Sequence, residues 1–324
     1  MISYFLSFLT VYILGLPRWF VWPFYGILLL LGFWNFYRLM RNNYIAAKTE
    51  EKALEIFQFL VRRGFYVISD IVGEQVKTEK EAWRAKDLYI THINSIKHEA
   101  ERITISVKPS QCGLYINTQL CRRILGSIIY VADRNNVFVW IDAEKKKDRK
   151  DVFYMAVFLK SRRCDHFGVA LQANHSDAGK FLKKYMKFDI PVRLVKGAYT
   201  DGDLQQDGLI NENFVDLMER YYDPILESSK FKNIALGTHD EALINIGILW
   251  KIVKEFQFLY GVNSVLAENL LSRRMRVAIY VPWGKESGAY LYRRFREGIR
   301  FKTFFLFLRN LWSGYRFRRR LARF

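Results

Sequence analysis

Eight short runs of apolar and β-branched residues recur along the chain, most of them a helix length apart and followed by a polar or charged residue. They are FYVIS (65–69) before Asp70, RITISV (102–107) before Lys108, VFVWI (137–141) before Asp142, FGVAL (167–171) before Gln172, PVRLV (191–195) before Lys196 and IALG (234–237) before Thr238 and His239. EFQFLY (255–260) and RVAIYV (276–281), around Leu259 and Tyr280, complete the set. Strands alternating with helices predict a parallel sheet, and eight units predict closure into a (β/α)8 TIM-like barrel, a fold of about 250 residues. A chain of 324 residues holds one such barrel with extensions. The seventh run is the least strand-like, because it could continue the helix before it. Ahead of the first strand, Lys48–Arg63 reads as a helix, with Ala53, Leu54, Ile56, Phe57 and Leu60 near helical spacing and Gly64 as its stop. In such barrels the functional site lies at the C-terminal ends of the strands, where the polar residues named above fall.

Several chemistries are set aside by the residue pattern. Cys112, Cys121 and Cys164 show no paired spacing, which predicts neither a disulfide framework nor a zinc site and suits a reducing compartment. His92 and His98, six apart, are poorly spaced for shared ligation and read as surface or helix histidines, so no metal is expected. No Walker loop is present, and no GxGxxG follows a strand. A nucleotide cofactor would therefore be held without a Rossmann fingerprint.

The two ends differ from the middle. Residues 1–17 and 19–37 are uncharged, and the second stretch has the roughly 20-residue length of a membrane span. Trp19, Trp22, Tyr25, Trp34 and Tyr37 lie toward its ends as an aromatic belt would, and Arg38, Arg41 and Lys48 follow it. By the positive-inside rule the barrel then lies on the cytoplasmic side of the membrane. One span and a shallow helical hairpin are both compatible with this pattern. It has the marks of neither a secretory signal nor a transit peptide. The net charge is +19, and from Arg300 to Phe324 there are eight bases and no acid, interleaved with Phe, Leu and Trp. Such a basic amphipathic tail suits an anionic membrane surface. Nucleic acid is the alternative partner, and the apolar N-terminus favours the membrane. Three segments follow: a hydrophobic, membrane-seeking 1–42, a barrel over 43–299 and a tail over 300–324.

After the eighth run, Tyr290, Arg293, Arg294 and Glu297 are spaced to share one helix face. Adjacent guanidinium groups match a planar carboxylate, so this face can form a carboxylate clamp at the barrel mouth, although on spacing alone a solvated basic face is the more ordinary reading.

SDIVGE (69–74), SVKPS (106–110), IDAE (141–144), ALQA (170–173), VRLVKGAY (192–199), GTHDE (237–241), EFQFLYG (255–261), IYVPWG (279–284) and YLYRR (290–294) occur in this order. The series resembles the proline dehydrogenase family over roughly residues 43–300, VRLVKGAY and YLYRR being its most specific pieces. The resemblance implies a barrel that holds FAD and oxidises L-proline to 1-pyrroline-5-carboxylate, with electrons passed to a membrane quinone. It implies that Lys108, Arg293 and Arg294 bind the substrate carboxylate, and that Leu259, Tyr280 and Tyr290 wall the ring. Asp142 would orient Tyr280 and polar groups beside the flavin, and Arg193 would support charge on the reduced flavin. Ala143, Gln172, Arg193, Lys196, Gly197, Ala198, Thr238, His239 and Glu297 would contact FAD. The chain departs from the family pattern at Thr200 in place of Trp, at Asp240 in place of Asn, and at the basic run KKKDRK (145–150), expected to alter only a surface loop. Two other readings stand beside proline oxidation. One is a related flavoenzyme for hydroxyproline or another cyclic amino acid, which Tyr280 disfavours by crowding the ring. The other is a non-catalytic, membrane-bound barrel scaffold.

Overall fold

The computed structural model of the chain describes residues 44–73, 75–197, 234–251, 253–285 and Leu291, together with Asn35, Arg38, Arg41 and Asn42. The chain forms two compact units, Met1–Asn43 and Tyr44–Phe324. In the first, the four described residues are helical. Among the described residues no helix is long and apolar enough to cross a membrane. The predicted apolar stretch 19–37 lies outside them apart from Asn35, and so does the whole basic tail 300–324.

The second unit is a closed barrel of eight parallel strands in chain order. They are β1 (Tyr66–Ile71), β2 (Ile103–Val107), β3 (Val139–Ile141), β4 (Phe167–Gln172), β5 (Val192–Val195), β6 (Ile234–Gly237), β7 (Val253–Leu259) and β8 (Val277–Trp283). The described helices are α1 (Glu50–Arg62) before β1, α2 (Glu79–Ile96), α3 (Thr118–Arg134), α4 (Arg149–Ser161), α5 (Ala178–Lys187), α6 (Glu241–Leu249) and α7 (Ser264–Ser272). All eight predicted runs are strands. The strands are buried nearly throughout, as in β3 and β4, because one face lines the barrel and the other meets helices.

The ambiguity over the seventh run is resolved by the backbone. Helix α6 ends at Leu249, and Lys251 then takes a left-handed φ of 56°, which no α-helix continues. Strand β7 starts two residues later and pairs with both β6 and β8. Helix α1 matches the expected periodicity: Ala53, Phe57 and Leu60 are buried against the barrel, each large apolar side chain contributing about 1.5–3 kcal/mol. Helix α2 starts with a capping box, in which Thr78 Oγ1 accepts from the Glu81 N–H and the Glu81 carboxylate accepts from the Thr78 N–H, both at 3.2 Å.

Inside the barrel, Ile68, Trp140, Ala235 and Ala278 pack together, with Tyr66, Phe138 and Tyr280 against them. Trp140 fits because its register partner is Gly168. A Cβ at Gly168 would lie 2.6 Å from the indole and 2.9 Å from the Pro191 carbonyl. A small residue on one strand thus makes room for a large one on its neighbour.

Of the two readings of His92, surface or helix histidine, the second holds: it is fully buried on α2. One expectation needs correcting, because the basic run 145–150 is more than a surface loop. Lys145, Lys147 and Lys150 are exposed, but Asp148 is buried and accepts from the Tyr115 hydroxyl at 2.7 Å. Arg149 pairs with Asp177 at 2.6 Å. These two contacts tie down the loop after β3, beside the barrel mouth.

Candidate active site

Because side chains alternate along a strand, residues two apart share a face. Ser106 and Lys108 leave β2 on one face, as do Trp140 and Asp142 at the end of β3. Arg193 comes from within β5, Asp70 from β1 and Tyr280 from β8. These positions converge on one carboxylate, Asp142. Its Oδ1 accepts from Arg193 Nη2 and from the Ser106 hydroxyl. Its Oδ2 accepts from the Tyr280 hydroxyl at 2.8 Å and lies 3.3 Å from Lys108 Nζ. Lys108 Nζ also donates to Asp70 Oδ1 and lies 3.4 Å from the Tyr280 hydroxyl. The Arg193 guanidinium sits between two rings, 5.4 Å from the centre of Trp140 and 5.5 Å from that of Tyr280.

The two acids and two bases nearly cancel in charge, but they are not equivalent. Burial raises the Asp142 pKa, but the charges of Lys108 and Arg193 and the hydroxyls of Ser106 and Tyr280 outweigh it and hold the group down at about 2. Asp142 is therefore the permanent anion. Asp70 moves the other way: burial pushes its carboxyl up, the pull of Lys108 offsets only part of this, and the charge of Asp142 adds to the rise. Burial opposes the Lys108 ammonium, yet the Asp70 and Asp142 carboxylates overcome it and keep it protonated. Burial, reinforced by Asp142, pushes the Tyr280 phenol well above its usual range, so it remains a donor.

A second layer surrounds this cluster. Gln172 Nε2 donates to the Glu144 carbonyl at 2.9 Å, and Glu144 Oε1 accepts from the Ser110 N–H at 2.7 Å. Lys196, past the end of β5, pairs with Asp240 at 2.6 Å. Asp240 also caps α6 by accepting from the Ala242 N–H at 3.0 Å. The unusual aspartate at 240 is thus matched by a charge partner and a helix terminus within this chain. Thr238 Oγ1 accepts from the Asp240 N–H at 3.2 Å, and His239 Nε2 lies 3.4 Å from the Leu259 amide. Gly197 has φ 107°, and a Cβ there would fall 2.1 Å from Asn174. That position needs glycine for both its backbone and its close approach.

The structure therefore brings together Lys108, Asp142, Arg193 and Tyr280. Leu259 lies next to Tyr280 in the β7–β8 register. Ala143, Gln172, Lys196, Gly197, Thr238 and His239 fall at or just past the C-terminal ends of their strands. Ala198, Thr200, Tyr290, Arg293, Arg294 and Glu297 lie outside the described residues. Sequence reasoning missed Ser106, Trp140 and Glu144 as site residues, although Ser106 and Trp140 are each two positions from a predicted site residue and so share its face, and Glu144 follows Asp142 in the loop after β3. Asp70 was visible as a strand end, but its partner Lys108 is 38 positions away. The buried atoms with no hydrogen-bond partner among the described residues include the donor Arg193 Nη1 and the acceptor Gln172 Oε1. A bound polar heterocycle would satisfy both.

Asp142→Asn keeps the shape of the carboxylate and removes its charge, leaving Arg193 buried without its anion. We expect a loss of about 3–5 kcal/mol in urea denaturation at neutral pH. The wild-type carboxyl titrates at about 2 in the fold against 3.8 when unperturbed. Its contribution is complete above the unfolded value and is lost as pH falls through the folded one. The stability gap between wild type and variant should therefore narrow between about pH 4 and about pH 2.

The family model for proline dehydrogenase matches residues 53–305. Proline dehydrogenase 1 of Bacillus subtilis (strain 168) is 26% identical over 276 residues, covering 80% of this chain and 87% of that protein. The proline dehydrogenase of Deinococcus radiodurans is 25% identical over 286 residues, covering 82% and 86%. Among solved structures, proline utilization A from Bdellovibrio bacteriovorus, inactivated by N-propargylglycine, superimposes with a TM-score of 0.73 at 22% identity. That match covers 82% of this chain and 33% of the other, so this chain spans about a third of the larger protein and shares the fold of that part. With the family match running through the whole described barrel from α1 onward, the chain belongs to the proline dehydrogenase family.

Proposed function

We propose that this chain oxidises L-proline to 1-pyrroline-5-carboxylate with FAD as the hydride acceptor. The observation that carries this reading is the cluster of Lys108, Asp142, Arg193 and Tyr280 at one end of the barrel. It offers an ammonium for a carboxylate, a phenol ring as a wall, and a guanidinium held by an anion. The buried donor Arg193 Nη1 and the buried acceptor Gln172 Oε1 fit an isoalloxazine ring, whose edge carries both acceptors and an N–H. Gln172, Arg193, Lys196, Gly197, Thr238 and His239 would hold the cofactor. FAD, when bound, would supply the two-electron oxidant for this reaction, in which the ring carbon beside nitrogen gives up a hydride, the nitrogen gives up a proton to solvent, and a C=N bond forms. The chain's own residues provide orientation and electrostatics. Lys108, with Arg293 and Arg294, would fix the substrate carboxylate. Tyr280, held by Asp142, would fix the ring plane together with Leu259 and Tyr290. The charge of Arg193 would favour the negative charge that reduction brings.

Hydroxyproline is the weaker substrate on this reading, because the Tyr280 ring, tied through its hydroxyl to Asp142, cannot swing away without breaking that bond. A non-catalytic scaffold is disfavoured by the near-neutral buried ion cluster, which a passive barrel would not need. The purified protein should be yellow, and anaerobic L-proline should bleach it, with hydroxyproline much slower at equal concentration. A colourless protein that takes up no FAD, or a yellow one indifferent to proline, would sink the proposal.

Electrons would pass on to a membrane quinone. The uncharged stretch 19–37, the basic aromatic tail and the exposed Lys145, Lys147 and Lys150 support an anionic membrane as the surface that the barrel approaches from the cytoplasmic side. Removing residues 1–40 should move most of the protein from the membrane pellet to the supernatant at high salt. Unchanged sedimentation after that deletion and after removal of the tail would contradict membrane attachment through the ends.

A further inference from the structure

Outside the site lies a buried chain of polar side chains that the proposed chemistry does not use. Trp283 Nε1 donates to Ser69 Oγ at 2.7 Å, Ser69 Oγ lies 2.7 Å from His92 Nε2, and His92 Nδ1 lies 2.8 Å from Glu50 Oε1. Ser69 and His92 are fully buried. An indole N–H can only donate, so the serine oxygen accepts from it and is free to donate onward. The set closes when the Ser69 hydroxyl donates to His92 Nε2 and His92 Nδ1–H donates to Glu50. This neutral tautomer gives each of these bonds one donor and one acceptor.

The chain joins α1, α2, β1 and β8 at the mouth end of the barrel. Ser69 is followed by Asp70, which points the opposite way and holds Lys108. Trp283 is three positions past Tyr280 and closes β8. Ser69 and Trp283 thus fasten the two neighbouring strands that deliver Asp70 and Tyr280, the groups between which Lys108 sits.

We propose that His92 is a positioning residue for substrate binding: through Ser69 and Trp283 it fixes the spacing of Asp70 and Tyr280, and with it the placement of the Lys108 ammonium. This rests on the proline-oxidising reading above. If His92 merely braced α1 through Glu50, losing the Glu50 bond would cost stability and losing the Ser69 bond would leave substrate binding unchanged.

Two conservative variants separate these roles. In His92→Gln the longer amide reaches Ser69 and gives up Glu50. In His92→Asn the shorter amide keeps Glu50 and gives up Ser69. Steady-state kinetics with L-proline, calorimetric binding of pyrrole-2-carboxylate (a flat ring carboxylate that cannot give up the hydride) and thermal unfolding would be measured on the FAD-loaded full chain. We expect His92→Asn and Ser69→Ala to raise KM and the pyrrole-2-carboxylate Kd about tenfold with kcat within about twofold, and His92→Gln to stay within about twofold of wild type in all three. Equal losses in His92→Asn and His92→Gln would overturn the inference, as would unchanged KM and Kd in Ser69→Ala. Should wild type itself fail to oxidise proline, the functional reading fails instead, which the parent control reveals.

Discussion

Two cations buried in a barrel mouth require an anion, and Asp142 is that anion. Its two oxygens receive Arg193, Ser106 and Tyr280 and lie within ion-pair reach of Lys108, so one side chain at the end of β3 joins residues from β2, β5 and β8. Without its charge, Arg193 would stand buried between two aromatic rings with no carboxylate paired to it among the described residues. An unpaired buried charge is far more costly than a paired one, so the geometry of the site depends on this carboxylate staying ionised. Asp70 complements it. Burial raises its pKa where Asp142 is held down, so the two carboxylates beside Lys108 differ in how strongly each holds its charge.

The barrel supplies the convergence. Each cluster member sits on a barrel strand or one residue past its end, and small residues such as Gly168 and Ala235 pack against Trp140 in the interior. The helices fix strand height from outside. The Trp283–Ser69–His92–Glu50 chain is the polar part of that outer support, and it meets β1 and β8 next to the residues that face the site.

The strands were readable in the sequence because each buries both faces, so apolar runs ending in a polar residue mark them without reference to anything distant. The site was readable where one strand end carries one polar residue, as with Lys108, Asp142 and Gln172. Pairings between strands were not. That Lys108 meets Asp70, or that Lys196 balances Asp240, depends on register across the closed barrel, which no local pattern encodes. His92 shows the same limit from the other side. On spacing it is an ordinary helix histidine, and only the packing of α2 against β1 and β8 makes it a buried link. Asp148 in the basic run was hidden likewise, its role set by Tyr115, 33 positions earlier.

Asp142 and Arg193 thus act as one electrostatic unit. A double-mutant cycle with Asp142→Asn and Arg193→Met, read as unfolding free energy at neutral pH, measures that coupling. The double variant should be more stable than the sum of the single losses implies, with a coupling energy of about 1–3 kcal/mol, because removing both charges leaves neither stranded. Losses that add to within about 0.5 kcal/mol would contradict it.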